Sequence, residues 1–357
     1  NAGEYPVYSS QTANNGEIGK IKTFDHDGEA VTWTTDGANA GTVFHRTGKF
    51  SITNVCGLIK VKNIEELNYK FLFYWLSIEA KKHVYSGMGN PKLMSNQMAK
   101  IPIPIPPLSV QKEIVRILDS FTELTAELTA ELTAELTARK KQYDYYREKL
   151  LSFEEGDVEW KPLGEVCDFQ NGFAFQSNLF KDSGLPIVRI TNINGVNVDL
   201  SDVKYFSPDD YNSGNPLNYA IVKGDILIAM SGATTGKIGY YNLDEKAYLN
   251  QRVGKFIPNK ELLNNRFLFH FLLTKNEFLY VLAGGGAQPN LSSNAIKEKL
   301  LIPIPPLSEQ ERIVAILDKF DVLTTSISEG LPREIELRKK QYEYYRDLLL
   351  TFPKNNI

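Results

Sequence analysis

An internal repeat constrains the fold of this chain more than any other feature. The segment 103–121 recurs at 302–320, and 14 of its 19 positions are identical at a constant offset of 199 residues. The same offset aligns 139–147 with 338–346, and no gap intervenes. Fixed spacing between matching segments is the mark of a duplicated structural unit. The sequence therefore predicts two copies of one architecture, related by a pseudo-two-fold internal repeat.

The region before each repeated segment also corresponds, although more weakly. Residues 69–76 resemble residues 265–272, and the glycines of Gly37-Ala38 and Gly232-Ala233 align. The predicted order is a first variable region, a first repeated segment, a second variable region and a second repeated segment. Their boundaries are 1–107, 108–153, 154–306 and 307–357. Because only the variable regions have diverged in sequence, we expect the two regions to bind two different ligands on one shared architecture.

The repeated segments read as long helices. Residues that precede proline avoid the α region, so Pro106-Pro107 ends an extended segment and Ser109 can cap the next helix. Apolar residues then recur at spacings of three and four, and the tetrapeptide Thr-Ala-Glu-Leu, three times in 125–136, continues the stripe. The second copy has Pro332 instead, which should kink its helix or begin another one.

The variable regions read as α+β. Short β-rich runs, such as 225–229, alternate with Gly, Asn and Asp turns, and one helical pattern lies near 64–83 and another near 260–282. Each region should close with an Ile-Pro strand before the helix. The first variable region has no counterpart of 158–185, so we expect that region to be N-terminally incomplete by roughly 20 or more residues.

Composition excludes several classes of protein. The net charge of −3 rules out a polycation that coats nucleic acid. The chain has two cysteines, far apart, and four histidines, none at metal-ligand spacing, so no disulfide framework or metal site is predicted. No apolar stretch is long enough for a membrane span, and no secretory signal is visible. The cytoplasm is therefore the expected compartment.

No catalytic motif is complete. Residues 232–237 resemble a phosphate-binding loop, but the spacing is one residue short and Ile238 stands where a magnesium ligand should be. We interpret this segment as a glycine turn between strands. Glu159-Trp160-Lys161 is only half of a nuclease signature, and no methyltransferase signature is present. The sequence predicts a protein that is not an enzyme and needs no cofactor.

The repeated motifs resemble those of the specificity subunit of type I restriction-modification enzymes. The resemblance covers essentially the whole chain. It depends on the Ile-Pro-Ile-Pro-Pro-Leu-Ser start of each helix, the Arg-Lys-Lys-Gln-Tyr-x-Tyr-Tyr-Arg end, and the Thr-Ala-Glu-Leu repeat of one subgroup. It implies two α/β target recognition domains separated by a pair of long antiparallel helices. It also implies double-stranded DNA as ligand, read as a bipartite site. The implied protein partners are two adenine-N6 modification subunits and motor-nuclease subunits.

Two alternatives remain open on the residues alone: a helical scaffold that binds only protein, and a catalytic DNA enzyme. Under the specificity-subunit interpretation, loops at matching places in the two variable regions should face DNA. Amide and hydroxyl groups suit base edges, whereas Lys and Arg suit phosphates or guanine. The predicted DNA-binding residues are Lys20, Lys22, Asn39, Thr42, Asn90, Lys92, Arg189, Ser231, Thr234, Thr235, Lys237, Arg252, Gln288 and Asn290.

The ends of the two repeated segments present the same side chains twice. Such a repetition suits two identical partners around a pseudo-two-fold axis, although interhelix packing also explains some of the tyrosines. The predicted partner-binding residues are Tyr143, Tyr146, Arg147, Tyr342, Tyr345 and Arg346.

Overall fold

A computed structural model describes residues 3–87, 89–154, 156–212, 214–285, 289–325 and 330–352. The contacts divide the chain into two compact units. The first unit comprises residues 1–133 and 333–357, and the second unit comprises residues 134–332. Both units mix helices with sheets, so the predicted α+β class is confirmed.

The strands within the described residues are short. In chain order they are β1 (Tyr5–Tyr8), β2 (Glu17–Ile21), β3 (Ala30–Thr34), β4 (Val43–Arg46), β5 (Ser51–Ile52), β6 (Cys56–Ile59), β7 (Glu159–Pro162), β8 (Cys167–Asn171), β9 (Leu185–Val188), β10 (Lys204–Phe206), β11 (Ala220–Ile221), β12 (Ile226–Ala229), β13 (Ile238–Tyr240), β14 (Ala247–Leu249), β15 (Val253–Pro258) and β16 (Leu301–Ile304).

The α-helices differ widely in length. In chain order they are α1 (Tyr69–Glu79), α2 (Ser95–Met98), α3 (Leu108–Leu151), α4 (Leu163–Val166), α5 (Asn265–Leu273), α6 (Asn276–Leu282), α7 (Ser293–Lys299), α8 (Leu307–Thr325) and α9 (Leu331–Leu349).

The first unit has two three-stranded sheets, ordered β2-β1-β5 and β4-β3-β6. Helix α1 starts where the Asn68 side chain accepts a hydrogen bond from the amide of Phe71, which satisfies one of the free donors at a helix N-terminus. Its buried face, with Phe71 and Leu72, lies in one core with Ile114 and Leu118 of α3. The apolar stripe of the repeated segment therefore anchors the variable region.

The second unit repeats this plan with more strands. Its sheets are ordered β10-β9-β14-β11, β13-β12-β15-β8 and β16-β7. Asn264 caps α5 as Asn68 caps α1, and Phe267 and Leu268 of α5 share a core with Ile313 and Leu317 of α8. The parallel pair β9–β14 corresponds to β1–β5, and β12, flanked by β13 and β15, corresponds to β3, flanked by β4 and β6.

The Ile-Pro strand forms in one unit only. In the second unit β16 pairs with β7, from Leu301 opposite Pro162 to Ile304 opposite Glu159. The matching residues 101–107 precede α3 without belonging to a strand. The prediction of a strand there is wrong, because the described residues of the first unit contain no counterpart of β7 with which it could pair.

The long helices follow the predicted pattern except at the start of α3, and Pro332 marks the start of a second helix as predicted. Helix α3 is continuous for 44 residues, through the tetrapeptide repeat. It begins at Leu108, and the Pro107 carbonyl accepts the first helical hydrogen bonds, so the prediction that Ser109 is the N-cap is wrong. The second repeated segment is two helices, α8 and α9, and Pro332 lies in the first turn of α9, where its missing N–H costs no hydrogen bond.

The antiparallel pairing is visible within the first unit. The rings of Phe121 in α3 and Tyr345 in α9 are 5.8 Å apart, and the hydroxyl groups of Thr122 and Tyr342 are 3.0 Å apart. As α3 advances, the contacting residues of α9 run backwards. In the second unit the later part of α3 packs on α8, where the ring of Tyr146 stacks on Phe320 at 5.5 Å.

Candidate nucleic-acid interface

The turn between β12 and β13 is a hydrogen-bonded glycine turn, which confirms that interpretation. Gly232 and Gly236 have φ near +81° and +84°, a region that favours glycine. The Thr235 amide donates to the Gly232 carbonyl at 3.1 Å, and the Lys237 amide donates to the Thr234 carbonyl at 3.0 Å. These bonds hold the backbone of the loop in a turn.

A second segment crosses this loop and holds it. The Gly232 amide donates to the Pro289 carbonyl at 3.2 Å, and the Leu291 amide donates to the Met230 carbonyl at 2.7 Å. Between these two bonds, Ser231 and Asn290 form an antiparallel bridge. Residues that face each other in such a bridge project to the same side. The bridge therefore brings together two predicted DNA-binding residues from distant parts of the sequence.

Two further segments meet the same loop. The Thr234 hydroxyl donates to the Ile190 carbonyl at 3.2 Å, which places Arg189 beside the loop. The Met230 amide donates to the Arg252 carbonyl at 2.8 Å. The structure thus gathers most of the residues predicted in the second variable region, namely Arg189, Ser231, Thr234, Thr235, Lys237, Arg252 and Asn290.

These gathered residues differ in what they can reach. Lys237, Arg252 and Asn290 are exposed. Thr235 is buried, and its hydroxyl lies 2.7 Å from the Gly232 carbonyl and 3.2 Å from the Pro289 carbonyl. Thr235 therefore serves to hold the loop in place. Gln288, also predicted, lies outside the described residues.

The first unit contains the same frame around the turn between β3 and β4. The Gly37 amide donates to the Pro91 carbonyl at 3.0 Å, and the Leu93 amide donates to the Thr35 carbonyl at 2.9 Å. Here Asp36 and Lys92 form the bridge, and the Lys92 Nζ lies 3.7 Å from the Asp36 Oδ2. The predicted residues that this frame brings together are Asn39, Thr42, Asn90 and Lys92.

Lys20 and Lys22 are placed differently. Lys20 lies in β2 and Lys22 just beyond its end, and both are exposed. Their sheet, β2-β1-β5, is not the one that carries the turn. In contrast, Asp36 lies at the centre of the frame but was not predicted from the sequence. Its alignment with Ser231, one residue before the shared Gly-Ala, was the signal that could have identified it.

A buried polar network joins α5 to the long helices in the second unit. The His270 Nε2–H donates to the Asp318 Oδ1 at 2.7 Å, and the Tyr143 hydroxyl donates to the His270 Nδ1 at 3.0 Å. Arg266 donates to Asp318 at 2.6 Å and to Asp321 at 2.9 Å. Burial lowers the pKa of His270. Burial alone would raise the pKa of Asp318, but the hydrogen bonds from His270 and Arg266 lower it.

The first unit has a related network at the matching positions. The Tyr74 hydroxyl donates to the Asp119 Oδ1 at 2.7 Å, and the Lys70 Nζ donates to the Asp119 Oδ2 at 2.6 Å. Burial is the main cause that raises the pKa of Tyr74. Glutamines repeat as well. The Asn68 amide donates to the Gln111 side chain at 2.9 Å, and the Asn264 amide donates to the Gln310 side chain at 2.7 Å. Each variable-region helix is therefore bound to its repeated helix in the same way.

The predicted partner-binding residues separate into core and surface. Tyr143 is 5% exposed and packs in the core of the second unit, so it offers a partner little surface. Tyr146, Arg147, Tyr342 and Arg346 are half-buried, and Tyr345 is 40% exposed. Tyr145 and Tyr344, at equivalent positions, are 57% and 64% exposed but were not predicted. Helical periodicity would have identified them as the outward residues of each Tyr-Tyr pair.

The part of the chain that the structure describes offers neither a metal site nor a membrane span. No group of three or more His, Cys, Asp or Glu side chains within it could hold a metal ion. No helix within it is both long and apolar enough to cross a membrane.

The turn between β3 and β4 and the turn between β12 and β13, each held by a crossing segment, are called the strapped loops. Together with the long helix, this duplicated α+β architecture defines a class of paired recognition modules. A family model described as "Type I restriction modification DNA specificity domain" matches residues 1–138 and 155–337. The chain belongs to this type I restriction-modification specificity family. Its members are the recognition subunits of these systems rather than the catalytic ones.

Several relatives match over most of this chain. The specificity subunit of the Escherichia coli type I restriction enzyme EcoR124I/EcoR124II is 39% identical over 80% of this chain and 71% of the relative. A putative type I restriction enzyme specificity subunit of Haemophilus influenzae is 39% identical over 98% of this chain and 89% of the relative. A putative type I specificity subunit of Mycoplasma pneumoniae is 38% identical over 95% of this chain and 98% of the relative.

Solved structures share the fold at low sequence identity. A chain from a study of complex assembly and conformational transition of the type I restriction-modification system has a TM-score of 0.68 at 18% identity, over 97% of this chain and 91% of that one. A specificity subunit from Thermoanaerobacter tengcongensis has a TM-score of 0.52 at 19% identity, over 90% of this chain and 79% of that one.

Proposed function

We propose that each unit reads one half of a bipartite double-stranded DNA site through its strapped loop. The observation that carries this proposal is the identical backbone frame around two loops with different side chains. Asp36 and Lys92 occupy the bridge in one unit, and Ser231 and Asn290 occupy it in the other. A frame kept constant while its side chains change is what two readers of different sequences require.

Substitution of two exposed cationic side chains in the second unit tests whether its loop binds DNA. Lys237 and Arg252 flank the loop, and each can neutralise a phosphate. Lys237→Ala and Arg252→Ala should each weaken DNA binding. Each should also make the negative slope of log affinity against log salt shallower by about 0.9. Titrations of a labelled duplex at several salt concentrations measure both quantities. Lys260→Ala, which removes an exposed lysine outside the loops, is the matched control.

A scaffold that binds only protein makes the opposite prediction. Such a chain would not shift a duplex on a gel, either alone or with a modification subunit. The net charge of −3 indicates weak binding by the chain alone and tighter binding when a partner adds basic surface. If both loop variants keep the wild-type affinity and salt slope in the complex, the loops do not contact DNA.

The proposed assembly contains two adenine-N6 modification subunits and, for cleavage, motor-nuclease subunits. Its support within the chain is the repetition of Tyr145-Tyr146-Arg147 as Tyr344-Tyr345-Arg346, near the ends of α3 and α9. One exposed tyrosine in each copy presents the same chemistry at two places. Identical partners require such a repeated surface.

We also propose that the chain belongs to the subgroup whose helix carries Thr-Ala-Glu-Leu units, because this tetrapeptide occurs three times in residues 125–136. Leu128, Leu132 and Leu136 are half-buried along α3, and the glutamates between them are exposed. The boundary between the two compact units falls within this repeat, after Thr133. A change in unit number would therefore alter helix length without altering either strapped loop. We propose that the number of units sets the spacer between the half-sites.

A further inference from the structure

The bridge position is framed by the same two backbone hydrogen bonds in both units but carries different side chains. In both, a Gly amide bonds to a Pro carbonyl and a Leu amide bonds back across the bridge. Asp36 and Lys92 project to the same side in the first unit, as their 3.7 Å ion pair requires. Ser231 and Asn290 form the corresponding bridge in the second.

The same position carries an unsatisfied polar atom in each unit. Six side-chain atoms within the described residues are buried without a hydrogen-bond partner, and Asp36 Oδ1 and Ser231 Oγ are two of them. A third is the Nε of Arg189, the residue before Ile190, whose carbonyl accepts a hydrogen bond from the loop of the second unit. Buried polar atoms are usually hydrogen-bonded, so unpaired atoms that recur at one matched position have free hydrogen-bonding capacity that a ligand could use.

From the chemistry of these two side-chain pairs, and resting on the proposed function, we infer that each bridge pair reads one base pair. Asp36 and Lys92 read a C·G pair in the first half-site, and Asn290 with Ser231 reads an A·T pair in the second. A carboxylate accepts from the cytosine N4 amino group, and an ammonium group donates to guanine O6 and N7. An amide both accepts from adenine N6 and donates to adenine N7.

The geometry of the first pair fits this role. The Asp36 and Lys92 side chains are 32% and 51% exposed, so a base edge can reach both. Rotation about the terminal torsion of Asp36 is soft, so its carboxylate can turn to align with a donor on a base. The Lys92 backbone is fixed on its other side as well, because its amide and carbonyl both bond to Tyr85, at 3.0 and 2.9 Å.

Transplanting one bridge into the other unit tests the inference. The chain, assembled with modification subunits, selects duplexes from a pool in which both half-sites and the spacer are randomised. The wild-type complex should return a bipartite motif. Asp36→Ser with Lys92→Asn should change one position of the first half-site from C·G to A·T, with a shift in preference of about tenfold or more.

The second half-site, recovered from the same molecules, is the internal control for folding. It should stay unchanged in the transplanted variant. Ser231→Ala with Asn290→Ala should relax one A·T position of the second half-site and leave the first intact. If the transplanted variant returns the wild-type motif, or changes both half-sites, the inference is wrong while the proposed function stands. If the wild-type chain returns no bipartite motif, both fail.

Discussion

Asp119 and Asp318 occupy equivalent positions in the repeat, and each accepts hydrogen bonds from the helix that precedes it in its own unit. The donors differ, because Tyr74 in the first unit is replaced by His270 in the second. Only the second unit therefore places a histidine in this network. His270 is fully buried, and both of its ring nitrogens are hydrogen-bonded when the ring is neutral.

This histidine should make stability depend on pH. Burial lowers its pKa below the ordinary value of 6.5, so the unfolded chain binds more protons than the folded chain at mildly acidic pH. The stability that neutral His270 supports is present above pH 6.5 and is lost as the pH falls through the lowered value. The wild-type melting temperature should fall between pH 7.5 and 5.5, because this group lowers the free energy of unfolding by at most about 1.4 kcal/mol per pH unit.

His270→Gln provides the comparison. It should lower stability at pH 7.5 by about 1–3 kcal/mol, because a buried partner is left without its hydrogen bond. Its melting temperature should change less between pH 7.5 and 5.5 than that of the wild type. Tyr74→Phe, at the equivalent position of the first unit, should lower stability without changing the pH dependence. Equal pH slopes for the wild type and His270→Gln would show that another group titrates.

Individual contacts were the hardest feature to predict from the sequence. The loop glycines and the bridge lysine could be identified because the two copies align around Gly37 and Gly232. Asp36 was missed because a carboxylate is not among the amide, hydroxyl and cationic groups from which the DNA contacts were predicted. The pair of His270 and Asp318 was invisible, since 48 residues separate them and no local pattern links them.

Among the elements, α3 offers the sharpest test. One Thr-Ala-Glu-Leu unit adds about 6 Å of helix and roughly 40° of rotation, and DNA rises about 3.4 Å per base pair. Deleting residues 125–128 should therefore shorten the accepted spacer by one to two base pairs and leave both half-sites unchanged. Mapping methylated adenines across a genome measures this. Deleting any one of the three units gives the same chain, so the choice of unit cannot bias the result.

Insertion of a fourth unit is the matched control and should lengthen the spacer by a similar amount. Both variants keep the α3 side chains of the groove lined by Phe121, Leu124, Leu128 and Tyr342, because a Thr-Ala-Glu-Leu unit still comes directly after Leu124. A change of spacer would therefore reflect the length of α3 rather than damage to its packing on α9. An unchanged spacer in both variants would exclude the ruler, and so would altered bases within a half-site.

Helices were more predictable than strands for a physical reason. The apolar stripe of α3 is a local pattern, and its predicted start differs from the observed one by one or two residues. A strand forms only if a partner is available, so identical Ile-Pro sequences form a strand beside β7 and none in the first unit. The single predicted helix near 260–282 is two helices, α5 and α6, separated by Thr274 and Lys275.

For the whole molecule, the repeated tyrosines predict a stoichiometry. Native mass spectrometry of the assembled complex should show two modification subunits per chain. Tyr145→Ala and Tyr344→Ala should each weaken one docking place and so give a one-to-one assembly. Tyr280→Ala, which removes a 40% exposed tyrosine outside the long helices, should leave the assembly intact. A one-to-one wild-type complex that still methylates both strands would contradict the prediction.

The core of the first unit is completed by residues that come last in the described part of the chain. Phe352 packs on Phe71 and Trp75 with ring centroids 6.0 Å from each, and Leu350 lies in the same core. The second unit, in contrast, is one uninterrupted stretch, residues 134–332. During synthesis, the unit that begins first must therefore wait for Leu350 and Phe352 to leave the ribosome, while the later unit can fold earlier. Premature termination after residue 332 would spare the second core and leave the first one open.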